Sequence, residues 1–154
     1  MIRILMVCHG NICRSTMAEY VMKHLVKEAG VADRFFIDSA ATSAEEIGNG
    51  VHYGTRRKLA QVGIPCGDHQ ARRVTWQDYS KFDRIIGMDE ANRRNLLRML
   101  KNDPDGKVSL LLDHTGHSRP IADPWYTGNF DDTYRDVLEG CQALLEEIRA
   151  KEGF

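Results

Sequence analysis

Apolar and polar residues change their period along the chain several times, and each change marks out an element. Ile2 to Val7 is nearly continuous apolar sequence rich in β-branched residues, the pattern of a strand buried on both faces. Ser15 with Glu19 can open a helix, and Met17, Tyr20, Val21, His24 and Leu25 then recur at helical spacing up to Gly30, with Tyr20 and His24 read as packing residues. Arg34 to Ala40 reads as a second strand, followed by a loop of small polar residues, Ser39 to Asn49. Val51 to Gly63 has helical spacing and stops at Gly63-Ile64-Pro65, after which Cys66 to Arg73 is a connecting loop. Arg84 to Met88 predicts a third strand, and Asp89-Glu90 opens a helix running to Leu100. Lys107 to Leu112 predicts a fourth strand. A long loop, Asp113 to Gly128, precedes a closing helix over Asn129 to Ala150, whose apolar face holds Tyr134, Val137, Leu138, Cys141, Leu144, Leu145 and Ile148. Strands alternating with helices predict a doubly wound α/β fold: a mainly four-stranded parallel sheet flanked by helices in a flavodoxin-like three-layer α/β/α arrangement, without repeats.

Between the first strand and the first helix stands Val7-Cys8-His9-Gly10-Asn11-Ile12-Cys13-Arg14-Ser15. A loop from a strand's carboxyl end to a helix's amino end collects unpaired N–H groups and the positive end of a helix dipole, which together suit a dianion such as phosphate. Gly10 is expected to allow a tight turn, and the amides of His9, Asn11, Ile12 and Cys13 to point inward as an anion nest. No Gly-Lys-Ser/Thr follows, so this is not a nucleotide loop of the magnesium-dependent kind. A cysteine opens it and an arginine closes it. A thiol beside a helix N-terminus and a guanidinium favours its nucleophilic thiolate form, which makes Cys8 the candidate nucleophile toward phosphorus. The planar fork of Arg14 can hold two phosphoryl oxygens, and the Ser15 hydroxyl can donate to the sulfur when it leaves.

The second chemical stretch is Asp123-Pro124-Trp125-Tyr126 in the long loop. A loop of this length in a compact domain is commonly functional, and Pro124 stiffens the neighbour of the acid. Asp123 is a candidate general acid and base, or else a turn aspartate before proline; Trp125 and Tyr126 either wall a cleft or anchor the loop. Asp113, His114 and His117 lack the further ligands a metal centre needs, and no metal or cofactor is expected.

At 154 residues, 42% hydrophobic and 28% charged, the chain is expected to form a single domain over 1–154. Lys and Arg (21) nearly balance Asp and Glu (22), so no global field argues for nucleic acid or membrane partners, and a monomer is the default. No run reaches membrane-spanning length and no leader pattern precedes the first strand, from which a cytoplasmic protein is expected. Four scattered cysteines, Cys8, Cys13, Cys66 and Cys141, do not form a disulfide framework. Cys13 shares the loop with Cys8 and is either a small packing residue or a resolving thiol that makes the site redox-sensitive.

Cys8-x5-Arg14-Ser15, continuing as Thr16-Met17-Ala18-Glu19, resembles the signature of the low-molecular-weight protein tyrosine phosphatases. Asp38-Ser39-Ala40-Ala41-Thr42-Ser43, Ile47-Gly48-Asn49, Asp68 to Arg72, Phe82-Asp83 to Met88-Asp89 and Asp123 to Tyr126 follow in that family's order and approximate spacing, over nearly the whole chain. The resemblance implies hydrolysis of phosphotyrosyl proteins or peptides through a cysteinyl-phosphate on Cys8, with Arg14 clamping phosphate, Asp123 as acid and base, and phosphate as product. It also implies that Asn11, Ser39 and His69 brace the loop; the residues alone read as ordinary turn residues. Two departures are Thr16, where proline is common, and Glu45, where many members carry an aromatic wall residue. Glu45 is expected to weaken the grip on an aryl ring or to favour substrates with a cationic flank. Protein arginine phosphatases of similar sequence carry threonine in the place of Ile12, so Ile12 favours phosphotyrosine. A thioredoxin-coupled arsenate reductase needs two further relay cysteines, and Cys66 and Cys141 are far apart in sequence. A non-catalytic phosphate binder would leave nucleophile, arginine and acid without use.

Overall fold

A computed structural model describes residues 1–154. Four strands, β1 (Ile2–Cys8), β2 (Phe35–Ala41), β3 (Arg84–Gly87) and β4 (Val108–Leu110), form one parallel sheet in the order β2-β1-β3-β4. β1 is central and paired on both edges, with Cys8 opposite Ala41 and Met6 opposite Ile86. Because successive side chains of a strand face opposite ways, Ile4, Met6 and Cys8 enter the larger apolar cluster, while Leu5 and Val7 enter the smaller one. This explains the unbroken apolar run at the N-terminus.

On the first face lie α1 (Arg14–Glu28), α2 (Tyr53–Gln61) and, at the end of the chain, α6 (Phe130–Glu152). On the second lie α3 (Trp76–Lys81) and α4 (Glu90–Met99), which contribute Tyr79 and Leu96. The fold class read from the alternation of elements is therefore observed, three layers included. Since all strands run one way, their carboxyl ends share one side of the sheet, and β1 and β3, between which the strand order reverses direction, open a crevice there.

Three local departures have physical causes. α3 was not expected: its six residues carry no long period, but Thr75 and Asp78 form a capping box at its start. β4 stops at Leu110 instead of Leu112, because the Asp113 carboxylate accepts the Leu110 N–H at 2.9 Å and starts a 3-10 turn over Leu111–Thr115. Within the long loop, Pro124–Thr127 forms a single helical turn, α5, capped by Asp123.

The 3-10 turn after β4 carries Leu111 and Leu112 under α6, and approaches it closely at Gly140: a Cβ there would lie 2.5 Å from Leu111 Cγ. Gly140→Ala is therefore expected to destabilise the fold by about 1–3 kcal/mol, as overpacking does. Urea unfolding of the variant beside the parent measures this; an equal or raised midpoint would contradict the close approach.

Candidate active site

The Cys8–Ser15 loop closes around the Cys8 sulfur. The N–H groups of Asn11 and Ser15 lie 3.3 and 3.4 Å from Sγ, and the Ser15 hydroxyl lies 3.1 Å away. α1 starts at Arg14 with neither a side-chain cap nor an acidic residue in its first turn, so its terminal N–H groups remain for a ligand. The tight turn is made differently from the expectation for Gly10. Asn11 holds the left-handed conformation, with φ of 59°, whereas Gly10 allows close packing on Glu46, whose Cγ would lie 3.3 Å from an added Cβ. At Thr16, the hydroxyl donates to the Cys13 carbonyl at 3.0 Å and ties the helix start down where proline would stiffen it.

Asn11 is held in this conformation by a buried network. Its amide donates to Ser15 Oγ at 2.8 Å, and its carbonyl oxygen accepts from His69 Nε2 at 2.7 Å and from the Arg72 N–H at 3.2 Å. The Arg72 bond requires an acceptor at Oδ1, so His69 Nε2 carries a proton. Ser39 Oγ stands 3.3 Å from the same nitrogen and donates to Glu19 at 2.5 Å. Thus Asn11, Ser39 and His69 come together as the resemblance implied. Glu19, Asp38 and Tyr20 complete the group, a role the sequence did not give them: the two carboxylates face His69 Nδ1 at 3.5 Å each, and Tyr20 OH accepts the His69 N–H at 3.1 Å. The ligand atoms of Glu19, Asp38 and His69 lie within 4.8 Å of one another, a spacing open to a cation. Each carboxylate already has partners, Lys23 and Ser39 on Glu19 and Arg72 on Asp38.

Arg14 is 3% exposed. Its Nη1 donates to Asp89 at 2.7 Å and to the Ile121 carbonyl at 2.9 Å, and its Nη2 lies 3.5 Å from Asp123 Oδ2. Burial disfavours the charge, but Cys8 and the two carboxylates outweigh it and raise the pKa further. Asp89 is the residue that sequence reasoning assigned only to a helix start. It does cap α4, accepting the Asn92 N–H at 2.8 Å, while its other oxygen orients the arginine. Burial pulls the Asp89 carboxyl up, yet the bonds from Arg14 and the backbone hold it below the usual carboxylate range.

Over the loop lies a cavity of about 110 Å³ lined by Cys8, His9, Gly10, Ile12, Cys13, Glu45, Glu46, Asp123, Trp125 and Tyr126. Asp123 caps α5, accepting the Trp125 N–H on Oδ1 at 3.0 Å, so Oδ2 is the oxygen left facing the site. Trp125 and Tyr126 line the cavity and stand out from the surface, Tyr126 83% exposed. Glu45 forms the opposite rim and pairs with His9 at 3.0 Å. Cys13 is buried, and that burial, helped by the neighbouring Cys8 and Asp123, pushes its thiol up to about 12. No helix is long and apolar enough to cross a membrane.

Residues 3–153 match the family model of low molecular weight phosphotyrosine protein phosphatases, and the chain belongs to that family. It is 38% identical over 154 residues, 99% of each chain, to the low molecular weight protein-tyrosine-phosphatase YfkJ of Bacillus subtilis. The crystal structure of YfkJ superposes with a TM-score of 0.94 over 98% of this chain and 96% of that one. The SP-PTP structure from Streptococcus pyogenes gives 0.88 at 40% identity, covering 99% and 96%. The Drosophila arginine phosphatase DARP gives 0.87 at 30% identity, covering 97% and 98%.

Removing the Asp89 carboxylate loses both a cap and the tether of Arg14. Asp89→Ala is expected to lower stability by about 1 kcal/mol from the cap alone and to reduce kcat on aryl phosphates. Because the folded carboxyl titrates below its unfolded value, its contribution is present above about pH 4 and is lost as pH falls through the folded value. The stability gap between parent and variant should therefore close on acidification; a gap that widened would contradict the assignment.

Proposed function

We propose that the chain hydrolyses phosphotyrosyl proteins by double displacement, with Cys8 as nucleophile, Arg14 as phosphate clamp and Asp123 as general acid and base. The observation that carries this reading is one small cavity lined by both Cys8, whose sulfur meets the N–H groups of Asn11 and Ser15, and Asp123, whose Oδ2 lies 3.5 Å from the buried Arg14 fork. The thiolate of Cys8 attacks phosphorus in line as the bond to the phenolic oxygen breaks and Asp123 Oδ2 delivers the proton to that oxygen. The loop amides and Arg14 hold the equatorial oxygens throughout. Water then attacks the cysteinyl-phosphate, giving its proton to Asp123, while the S–P bond breaks and the Ser15 hydroxyl receives the returning thiolate. Ser15 is placed for this: its oxygen accepts from Asn11 and from the Cys8 thiol, and once the sulfur is a thiolate the hydroxyl proton is free to turn to it.

His9, Gly10, Asn11, Ile12, Cys13 and Ser15 form the phosphate loop; Ser39 and His69 brace it; Glu45, Trp125 and Tyr126 wall the substrate. The chain acts as one phosphatase domain over 1–154, as a monomer and without metal or cofactor, and not on nucleic acid or membranes. Four free cysteines fit a reducing, cytoplasmic setting. Under peroxide, Cys8 is oxidised to a sulfenic acid with loss of water from peroxide, and the Cys13 thiol condenses with it to a disulfide, releasing a second water.

A second reading, phosphoarginine hydrolysis, is favoured by the two rim carboxylates, Glu45 and Glu46, and by the likeness to the Drosophila arginine phosphatase. Against it, Ile12 offers an apolar surface where the buried end of a guanidinium would need an acceptor. For arsenate reduction, Cys141 is fully buried and bonded to the Ala18 carbonyl, with no path for a relay.

The deciding experiment compares para-nitrophenyl phosphate, a phosphotyrosyl peptide and a phosphoarginyl peptide without added metal. The aryl and tyrosyl substrates are expected to turn over, Cys8→Ser to be inactive, and Arg14→Ala to lose about 10²–10³ in kcat; a preference for phosphoarginine would replace the reading. Glu45→Trp is expected to lower KM for aryl phosphates, and an unchanged KM would remove Glu45 from the wall. After peroxide, thiol should restore the parent more fully than Cys13→Ser; equal recovery would exclude the disulfide.

A further inference from the structure

On the far side of Trp125 from the catalytic cavity lies a larger cleft of about 680 Å³, between the first turns of α2 and α6. Trp125 lines both spaces, so the cleft begins where the catalytic cavity ends. Its floor is an aromatic stack. The His52 ring lies on Tyr53 at 4.6 Å and on Phe130 at 5.5 Å, and meets Trp125 edge-on at 5.6 Å. Gly54 makes the stack possible, since a Cβ there would lie 2.3 Å from the Phe130 ring. The His52 N–H donates to the Ile12 carbonyl at 2.9 Å, which fixes the floor in register with the phosphate loop.

Charge on the two sides of the mouth differs in sign. Glu45 and Glu46 stand on one rim. In the cleft, Lys58 is paired with Asp131 at 2.7 Å and cancels it, while Arg57, exposed one residue earlier, has no carboxylate partner. An exposed apolar wall of Tyr53 and Trp125 therefore ends at a guanidinium that nothing on the chain neutralises. Such a site suits a side chain with an aliphatic stem and a terminal carboxylate.

We propose that this cleft is a subsite for an acidic residue flanking the phosphotyrosine, with Arg57 as its cation and Tyr53 and Trp125 as the walls for its stem. The proposal rests on the phosphotyrosyl-protein reading and deepens it. Because the catalytic loop anchors the phosphate, the flanking residue is delivered at high effective concentration, and a contact too weak to bind alone can still discriminate.

The test is a set of phosphotyrosyl peptides carrying Glu, Lys or Ala in turn at positions before and after the phosphotyrosine, assayed with the parent, Arg57→Ala and Arg57→Glu. Each rate is divided by the same variant's rate on para-nitrophenyl phosphate, which does not reach past Trp125. The parent is expected to prefer Glu over Lys at one flank by about three- to five-fold at low salt, through KM, with the preference shrinking as salt rises. Arg57→Ala should abolish the preference and Arg57→Glu should reverse it. Equal handling of Glu and Lys peptides by the parent, or a preference that survives in Arg57→Glu, would overturn the subsite. Turnover of para-nitrophenyl phosphate without turnover of any peptide would overturn the phosphotyrosyl-protein reading, and the subsite with it.

Discussion

A guanidinium taken out of water costs several kcal/mol unless its donors are met and its charge is balanced, and Arg14 is almost wholly buried. The chain meets that cost from three distant places: Asp89 at the start of α4, the Ile121 carbonyl, and Asp123 at the start of α5. None of these is near Arg14 in sequence. The sheet brings them together, since the segments after β1, β3 and β4 all emerge on the same side. A parallel sheet is thus more than a scaffold here, because it alone delivers the arginine's partners and the sulfur to one point.

The same economy appears at the carboxylates. Asp89 and Asp123 each cap a helix with one oxygen and face Arg14 with the other. A cap fixes the carboxylate's rotation, so the free oxygen is aimed before any substrate arrives. Likewise Asn11 accepts from His69 and Arg72 while donating to Ser15, and so ties contacts made far from the sulfur to the hydroxyl that stands beside it.

Much of this was legible along the chain. The strand, loop and helix around Cys8 carry their periods openly, and Asp123 stands out beside Pro124 in a loop too long for a mere connection. What was hidden is what tertiary contact decides. Asp89 reads as a helix cap because it is one, and its second oxygen's partner lies 75 positions away. Glu19 reads as part of a helix start and Tyr20 as a packing residue, and only the fold turns them toward His69. Leu111 and Leu112 look like strand, and it is a side-chain carboxylate from Asp113 that ends the ladder.

The left-handed Asn11, held from residues about sixty positions further on, bears on how such a loop can change through descent. A stretch this short looks portable, something that recombination could lift from one protein into another. Here its shape belongs to the host: transplanted alone, it would leave Asn11 without His69 and Arg72, and Arg14 without Asp89. A transfer that kept the site working would have to carry the loop together with these supports, whereas the rim residues Glu45, Trp125 and Tyr126 lie outside that set of bonds.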